Sequence, residues 1–184
     1  MRSAKAVTVE SSAARPTPRC VMIVGACSVL GRHVAAALAL AGTPVVLVDE
    51  DLTMADAMVE WMRSVGASAR VETLQLSRTL VSELGPDLAA VIDVRTRDVC
   101  SDDLAAAWAA ALPPGSCYAR VRDGASPSRF GSSMKLAEDR KVGVVVVEVD
   151  RAPEADAIDL IVHLMKRASK GGITSGLHVA IDGT

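Results

Sequence analysis

The sequence predicts an α/β fold in which helices cover both faces of a doubly wound parallel sheet of about seven strands, giving three layers, α/β/α. Two observations lead to this expectation. Apolar runs of strand length alternate along the chain with segments that have the period of helices. The runs are apolar at almost every position, as in "VGVVVVEV" (residues 142–149), and this is typical of parallel strands with both faces buried.

The expected elements follow one another in a regular order. Gly42 and Pro44 end the first helix, and Gly66 ends the second. Strands are expected at 20–25, 45–48, 69–76, 88–94, 116–121, 142–149 and 176–184. Helices are expected at 30–41, 53–65, 101–112 and 154–168, with a shorter one at 131–141.

The second helix has a recognisable start and an apolar stripe. Thr53 is expected to be its N-cap, and Asp56 three residues later completes a capping box. Apolar residues that recur at helical spacing on this helix are expected to face the core rather than a cofactor. These are Met58, Trp61, Met62 and Val65.

Length and composition favour one folded domain and argue against several functions. We expect residues 1–18 to form a flexible N-terminal tail and residues 19–184 a single α/β domain. A net charge of −2 with no basic stripe predicts no attraction to nucleic acid or to an anionic membrane. The tail lacks a hydrophobic signal segment, and no apolar run is long enough to cross a bilayer. We therefore expect a cytoplasmic protein.

No metal site is expected. The 4 cysteines have no CxxC spacing, so reduced and partly buried thiols are the expected state. The 3 histidines, His33, His163 and His178, each lack a nearby second ligand.

Residues 21–51, "VMIVGACSVLGRHVAAALALAGTPVVLVDED", have the order of a nucleotide-binding βαβ unit: strand, glycine turn, helix and a second strand that ends in acids. Amides at the start of the helix can bind a diphosphate, and glycines let the backbone approach it. Asp49 can accept hydrogen bonds from a ribose and would repel a 2′-phosphate, which favours NAD over NADP. The candidate cofactor-binding residues are Gly25, Cys27, Ser28, Leu30, Gly31 and Asp49.

Two motifs at opposite ends of the chain carry a family resemblance. "VGACSVLGR" resembles the TGxxxGxG segment of the short-chain dehydrogenase/reductase family, with Gly25 and Gly31 at the first and last glycines and Val29 in place of the middle one. "ITSGLHVAIDGT" resembles the closing ITGxxLxVDGG segment of the same family, with Asp182 and Gly183 in step. The resemblance implies a Rossmann-type fold and a nicotinamide cofactor.

The resemblance also implies a catalytic Ser, Tyr and Lys, with the last two spaced YxxxK, and this pattern is missing. The only tyrosine, Tyr118, is followed by Arg122 at the fourth position. If Lys135 stands for the family's lysine, Gly131 stands for its tyrosine. Ser132 and Lys135 are the remaining catalytic candidates. The NNAG segment after the fourth strand is replaced by "DVRTR" (residues 93–97), and the acid–apolar pair after the third strand reads "LQLS".

The state of the glycine loop stays open from the sequence. A β-branched Val29 would crowd a pyrophosphate, and it would be strained if its position required a positive φ. Either the loop is repacked and binds nucleotide poorly or not at all, or Gly25 and Gly31 suffice for NAD. Asp49, with Glu50 and Asp51, is alternatively a solvated acidic tip.

Three functions are therefore open. The first is a non-catalytic or regulatory subunit that pairs with itself or with a complete dehydrogenase through its last helix (154–168, with Ile158, Ile161 and Met165) and last strand (176–182). The second is an NAD-dependent oxidoreductase acting on an alcohol or ketone with non-standard catalytic residues. The third is a nucleotide or small-ligand binding protein without turnover. The candidate residues for the second are Ser126, Ser132, Lys135 and Asp123.

Overall fold

A single parallel sheet of seven strands organises the computed structural model. The structure describes residues 19–73, 83–84, 87–95, 102–123, 139–150, 155–169 and 177–182. The strands are β1 (Cys20–Val24), β2 (Val45–Asp49), β3 (Ala69–Thr73), β4 (Leu88–Asp93), β5 (Cys117–Asp123), β6 (Gly143–Asp150) and β7 (Leu177–Asp182). The helices with printed bounds are α1 (Val29–Leu40), α2 (Leu52–Ser64), α3 (Asp102–Ala111) and α4 (Ala155–Ser169).

The sheet is doubly wound, as the sequence predicts. The strand order is β3-β2-β1-β4-β5-β6-β7, and every neighbouring pair is parallel. The chain therefore moves outward from β1 to one edge and then returns to add β4 on the other side. In open α/β sheets the ligand crevice lies at this reversal, outside the carboxyl ends of the strands. Val24 of β1 pairs with Asp93 of β4 at that point.

Both faces of the sheet are buried, which explains why the strands are continuously apolar. In β1, Val21 and Ile23 belong to the core on the side of α1, α2 and α4, whereas Met22 and Val24 belong to the core on the side of α3. Successive side chains of a strand point to opposite faces, so a strand between two helix layers has no solvated side.

The last helix packs on its own subunit. Ile161 and Met165 are buried in the core, Ile158 packs against that core, and α4 contacts α1 and β4. The described exposed side chains of α4 are Asp159, His163 and Arg167. Ile161 and Met165 thus pack inside the chain, and the described exposed side chains of α4 are polar.

The second helix differs from its expected form in two ways. Asp51, not Thr53, is the N-cap, because its side chain accepts a hydrogen bond from the amide of Met54 and so starts the helix at Leu52. Met62 is buried, but Trp61 is 44% exposed and Val65 is also exposed. Successive helical residues are rotated by about 100°, so Trp61 cannot share the sheet-facing direction of Met62.

Several expectations fall partly or wholly outside the described residues. These are the tail 1–18, the end of the third strand beyond Thr73, and residues 131–138 of the short helix. In the part of the chain that the structure describes, no helix is long and apolar enough to cross a membrane. Nor does that part hold a group of three or more His, Cys, Asp or Glu side chains that could hold a metal ion.

Shortening a buried side chain of α4 tests whether that helix stabilises this subunit. We expect Ile161→Ala to lower the free energy of unfolding by about 3 kcal/mol, because it leaves a cavity in the core. The control His163→Ala, on the exposed side of the same helix, should change it by less than about 0.5 kcal/mol. Urea denaturation at two protein concentrations measures both, and equal effects of the two variants would contradict the assigned packing.

Candidate functional site

The glycine turn lies at the carboxyl end of β1, at the reversal of the strand order. Gly25 has φ of 79°, a left-handed conformation that glycine adopts without a steric penalty. Its amide donates to the carbonyl of Val48 at 2.9 Å, and its own carbonyl accepts from the amide of Ser28 at 3.1 Å. The turn is therefore joined to the end of β2 and to the start of α1.

Ser28 is the N-cap of α1 and connects the helix to the turn. Its hydroxyl accepts from the amide of Gly31 at 3.0 Å and donates to the carbonyl of Gly25 at 2.8 Å. The amides of Val29 and Leu30, which follow the cap, have no hydrogen-bond partner among the described residues. Two unpaired amides at a helix N-terminus can bind an anionic oxygen.

Gly31 allows the helix to approach the turn closely. A Cβ at this position would lie 2.3 Å from the carbonyl oxygen of Gly25 and 2.8 Å from Cα of Ala26. These distances are too short for any side chain, so the glycine is required by packing whether or not a nucleotide binds.

Val29 is the first residue of α1. Among the described residues, Lys141 is the one non-glycine residue with a positive φ, so Val29 carries no strain of that kind. From the sequence, Val29 would be strained only if its position required a positive φ. This condition is not met, because the helix begins at Val29, one residue before the expected start. The Val29 side chain, at the start of α1, is 54% exposed to solvent.

Asp49, at the end of β2, accepts hydrogen bonds from backbone amides of the neighbouring loops. Its Oδ2 accepts from the amide of Cys27 at 2.7 Å, and its Oδ1 accepts from the amide of Asp51 at 3.1 Å. The carboxylate is therefore more than a solvated acidic tip. An ionised carboxylate has about four lone-pair sites, so acceptor capacity remains for the hydroxyl groups of a ribose.

Cys27 lies between these acids. Its Sγ is 3.4 Å from the carbonyl oxygen of Asp51. Partial burial, together with the nearby charges of Asp49 and Asp51, raises the pKa of the Cys27 thiol to about 11. This thiol is a poor nucleophile at neutral pH.

A buried ion pair stands on the other side of the glycine turn. Arg95 donates from Nε to Oδ1 of Asp93 at 2.9 Å and from Nη2 to Oδ2 at 2.7 Å. The Asp93 side chain is 1% exposed and the Arg95 side chain 19%. Two parallel hydrogen bonds fix the guanidinium in one orientation.

Tyr118 completes this cluster from β5. It is fully buried, and its hydroxyl group lies 3.4 Å from Oδ2 of Asp93. Sequence reasoning identified Tyr118 as the only tyrosine but missed its contact with Asp93. The signal that could have found the cluster is the replacement of NNAG by "DVRTR", which places an acid and a base two residues apart at the end of β4.

The structure brings together Gly25, Cys27, Ser28, Gly31 and Asp49 through the hydrogen bonds and close contacts described above. Leu30 follows in the first turn of α1. Of the catalytic candidates, Asp123 alone lies within the described residues. Ser126, Ser132 and Lys135 lie outside the described residues, and Asp123 is the last residue of β5, where it pairs with Val149.

The residues present fit one half of an NAD molecule. The two free amides of α1 and the Asp49 carboxylate suit the phosphate and the ribose of an adenosine nucleotide. On the β4 side, the Arg95 side chain lies against Gly25, where the crevice would continue toward a second nucleotide.

Removing one partner of the buried ion pair should destabilise the fold. We expect Arg95→Ala to lower the free energy of unfolding by about 3 kcal/mol, because it removes a guanidinium that makes two hydrogen bonds to a buried carboxylate. The double variant Asp93→Asn, Arg95→Ala should lose less, since a neutral amide needs no cation. Urea denaturation of the single and double variants measures the coupling, and independent, additive losses would contradict it.

Alkylation of Cys27 should report its raised pKa. At pH 8 we expect iodoacetamide to modify it about 100-fold more slowly than an unperturbed thiol, with a tenfold gain per pH unit up to about pH 11. Asp49→Asn should speed the reaction by removing one of the nearby charges, while burial, the larger cause, remains. Mass spectrometry of the Cys27 peptide follows the rate, and wild-type labelling as fast as that of free cysteine would refute the assignment.

No protein-family model and no curated protein sequence matches this chain. Solved structures do. A short-chain dehydrogenase from Oenococcus oeni superposes with a TM-score of 0.62 at 14% identity, over 90% of this chain and 96% of that one. A metagenomic short-chain oxidoreductase in complex with NADP gives a TM-score of 0.64 at 16% identity, over 90% and 98%.

A third match is a short-chain dehydrogenase from Burkholderia cenocepacia in complex with NADP, with a TM-score of 0.61 at 18% identity, over 90% of this chain and 97% of that one. At these identities the comparisons show the fold and not the reaction. This chain has the fold of the short-chain dehydrogenase/reductases, as the resemblance in its sequence predicts.

Proposed function

We propose that this protein is a degenerate short-chain dehydrogenase-like subunit that transfers no hydride by itself. In this role the nucleotide-binding framework serves a non-catalytic or regulatory purpose, and the chain pairs with itself or with an active dehydrogenase.

The position of Tyr118 carries this proposal. A general acid must come within hydrogen-bond reach of its substrate. Tyr118 is the only tyrosine of the chain, it is fully buried in β5, and its hydroxyl faces the Asp93 carboxylate. A tyrosine in that place cannot exchange a proton with a bound alcohol or ketone.

The shape of the sheet supports association. Within the described residues, β7 is the last strand and pairs only with β6, so its other backbone edge is available for a neighbour. The exposed face of α4, which connects β6 to β7, offers charged groups rather than the buried Ile161 and Met165.

An activity assay tests the catalytic half of the proposal. The purified chain should give no change in absorbance at the nicotinamide band with NAD(H) or NADP(H) and a panel of alcohols and ketones. The physical reason is the missing proton donor. Sustained turnover by the chain alone would overturn the proposal and favour an oxidoreductase with non-standard catalytic residues.

Light scattering after size-exclusion chromatography tests the association. We expect a dimer, or a complex with a co-purifying dehydrogenase. Charge reversal on the exposed face of α4, His163→Asp with Arg167→Glu, should weaken it, whereas Glu60→Lys on α2 is the matched control on another helix. A monomer without any partner would contradict this half of the proposal.

A second candidate is nucleotide binding without turnover. It is favoured by a specific observation, namely that the unpaired amides of Val29 and Leu30 and the carboxylate of Asp49 all lie at the carboxyl edge of β1 and β2. Calorimetric titration with adenosine nucleotides should detect binding, and no reaction of the bound nucleotide should follow, which separates this function from that of an enzyme.

A further inference from the structure

We propose that the crevice of this protein takes a single nucleotide, a nucleoside diphosphate, and excludes dinucleotides, because the Asp93–Arg95 pair fills the position where the second nucleotide would continue. The inference rests on the second candidate function, nucleotide binding without turnover, and names its ligand class.

The position of the pair follows from the topology. In a doubly wound sheet the two halves each hold one nucleotide, and a dinucleotide crosses from one half to the other where the strand order reverses. Here that crossing lies between β1 and β4. Asp93 ends β4 beside Val24, and Arg95 lies two residues further along the chain.

Arg95 occupies this crossing. A Cβ built on Gly25 would lie 2.9 Å from Cγ of Arg95 and 3.4 Å from its backbone amide nitrogen. The aliphatic part of the side chain is thus in close contact with the glycine turn. On its β4 side, the glycine turn is therefore in contact with the Arg95 side chain.

The Arg95 side chain is not free to move aside. Its guanidinium makes two hydrogen bonds to the Asp93 carboxylate, and its backbone amide makes a third, at 3.2 Å to Oδ1. Asp93 is 1% exposed, so displacing the guanidinium would break two charge-assisted hydrogen bonds to a buried carboxylate. A ligand that needs this space must break the pair.

The other half of the crevice is intact. The amides of Val29 and Leu30 are unpaired in the described structure, and Asp49 retains acceptor capacity beside the loop. A phosphate at the start of α1 and a ribose at Asp49 make up one nucleotide. The α1 amides and Asp49 need no hydrogen-bonding group from a second nucleotide.

Isothermal titration of the full chain with ADP and with NAD⁺ tests the inference, since NAD⁺ contains the ADP moiety and adds the second nucleoside. We expect the Kd for ADP to be at least tenfold lower than that for NAD⁺. The double variant Asp93→Asn, Arg95→Ala, which leaves the net charge unchanged, should lower the Kd for NAD⁺ at least tenfold and change that for ADP less than twofold. The matched control is Asp56→Asn, Arg63→Ala on α2.

The outcomes separate two failures. If neither ligand binds, nucleotide binding itself is refuted, and this inference with it. If NAD⁺ binds the wild type as tightly as ADP does, nucleotide binding stands and the exclusion of dinucleotides is refuted. If the double variant folds and still discriminates, Arg95 is not the cause. Asp93→Ser with Arg95→Ser also removes the long side chain and keeps the net charge, and it is the second variant should the first not fold. Unchanged discrimination by it would count against Arg95.

Discussion

At the start of α1, the backbone of Gly31 lies against the carbonyl group of Gly25 so closely that no side chain could stand between them. This contact sets the position of the helix over the turn that follows β1. The Ser28 hydroxyl group donates to the carbonyl of Gly25 and accepts from the amide of Gly31. Asp49, at the end of β2, accepts from the amide of Cys27. The hydrogen bonds of Ser28 and Asp49 depend on this contact. A side chain at position 31 would push α1 away from the turn and would separate these hydrogen-bonding groups.

The same contact explains why the two glycines of this motif are needed whether or not a nucleotide binds. Both glycines have structural roles, Gly25 through its left-handed conformation and Gly31 through packing. Both are needed for the fold even without a ligand, so their presence is weak support for redox activity. The two features on which the proposals depend lie elsewhere, in the buried tyrosine of β5 and in the Asp93–Arg95 ion pair.

The Asp93–Arg95 ion pair affects both the core and the space beside the glycine turn. A buried carboxylate is costly unless a cation accompanies it, and Arg95 meets this need with two hydrogen bonds. The arginine that neutralises Asp93 also occupies the space next to Gly25. A charge requirement in the core thereby places a protein side chain beside the glycine turn, where the proposed exclusion of dinucleotides would act.

The sequence by itself determined the parallel sheet, its glycine turn and the residues that surround α1, because continuous apolar runs and local glycine spacing act over a few residues. It placed the cap of α2 at Thr53, whereas Asp51 accepts from the amide of Met54 and caps the helix two residues earlier. It also assigned Trp61 to the core, although the burial direction of a helix depends on the sheet beneath it. Only the tertiary structure showed that Arg95 lies on Gly25 and that Tyr118 faces Asp93. Those contacts join residues far apart in the chain, and the pairing of β1 with β4 and of β4 with β5 is what brings them together.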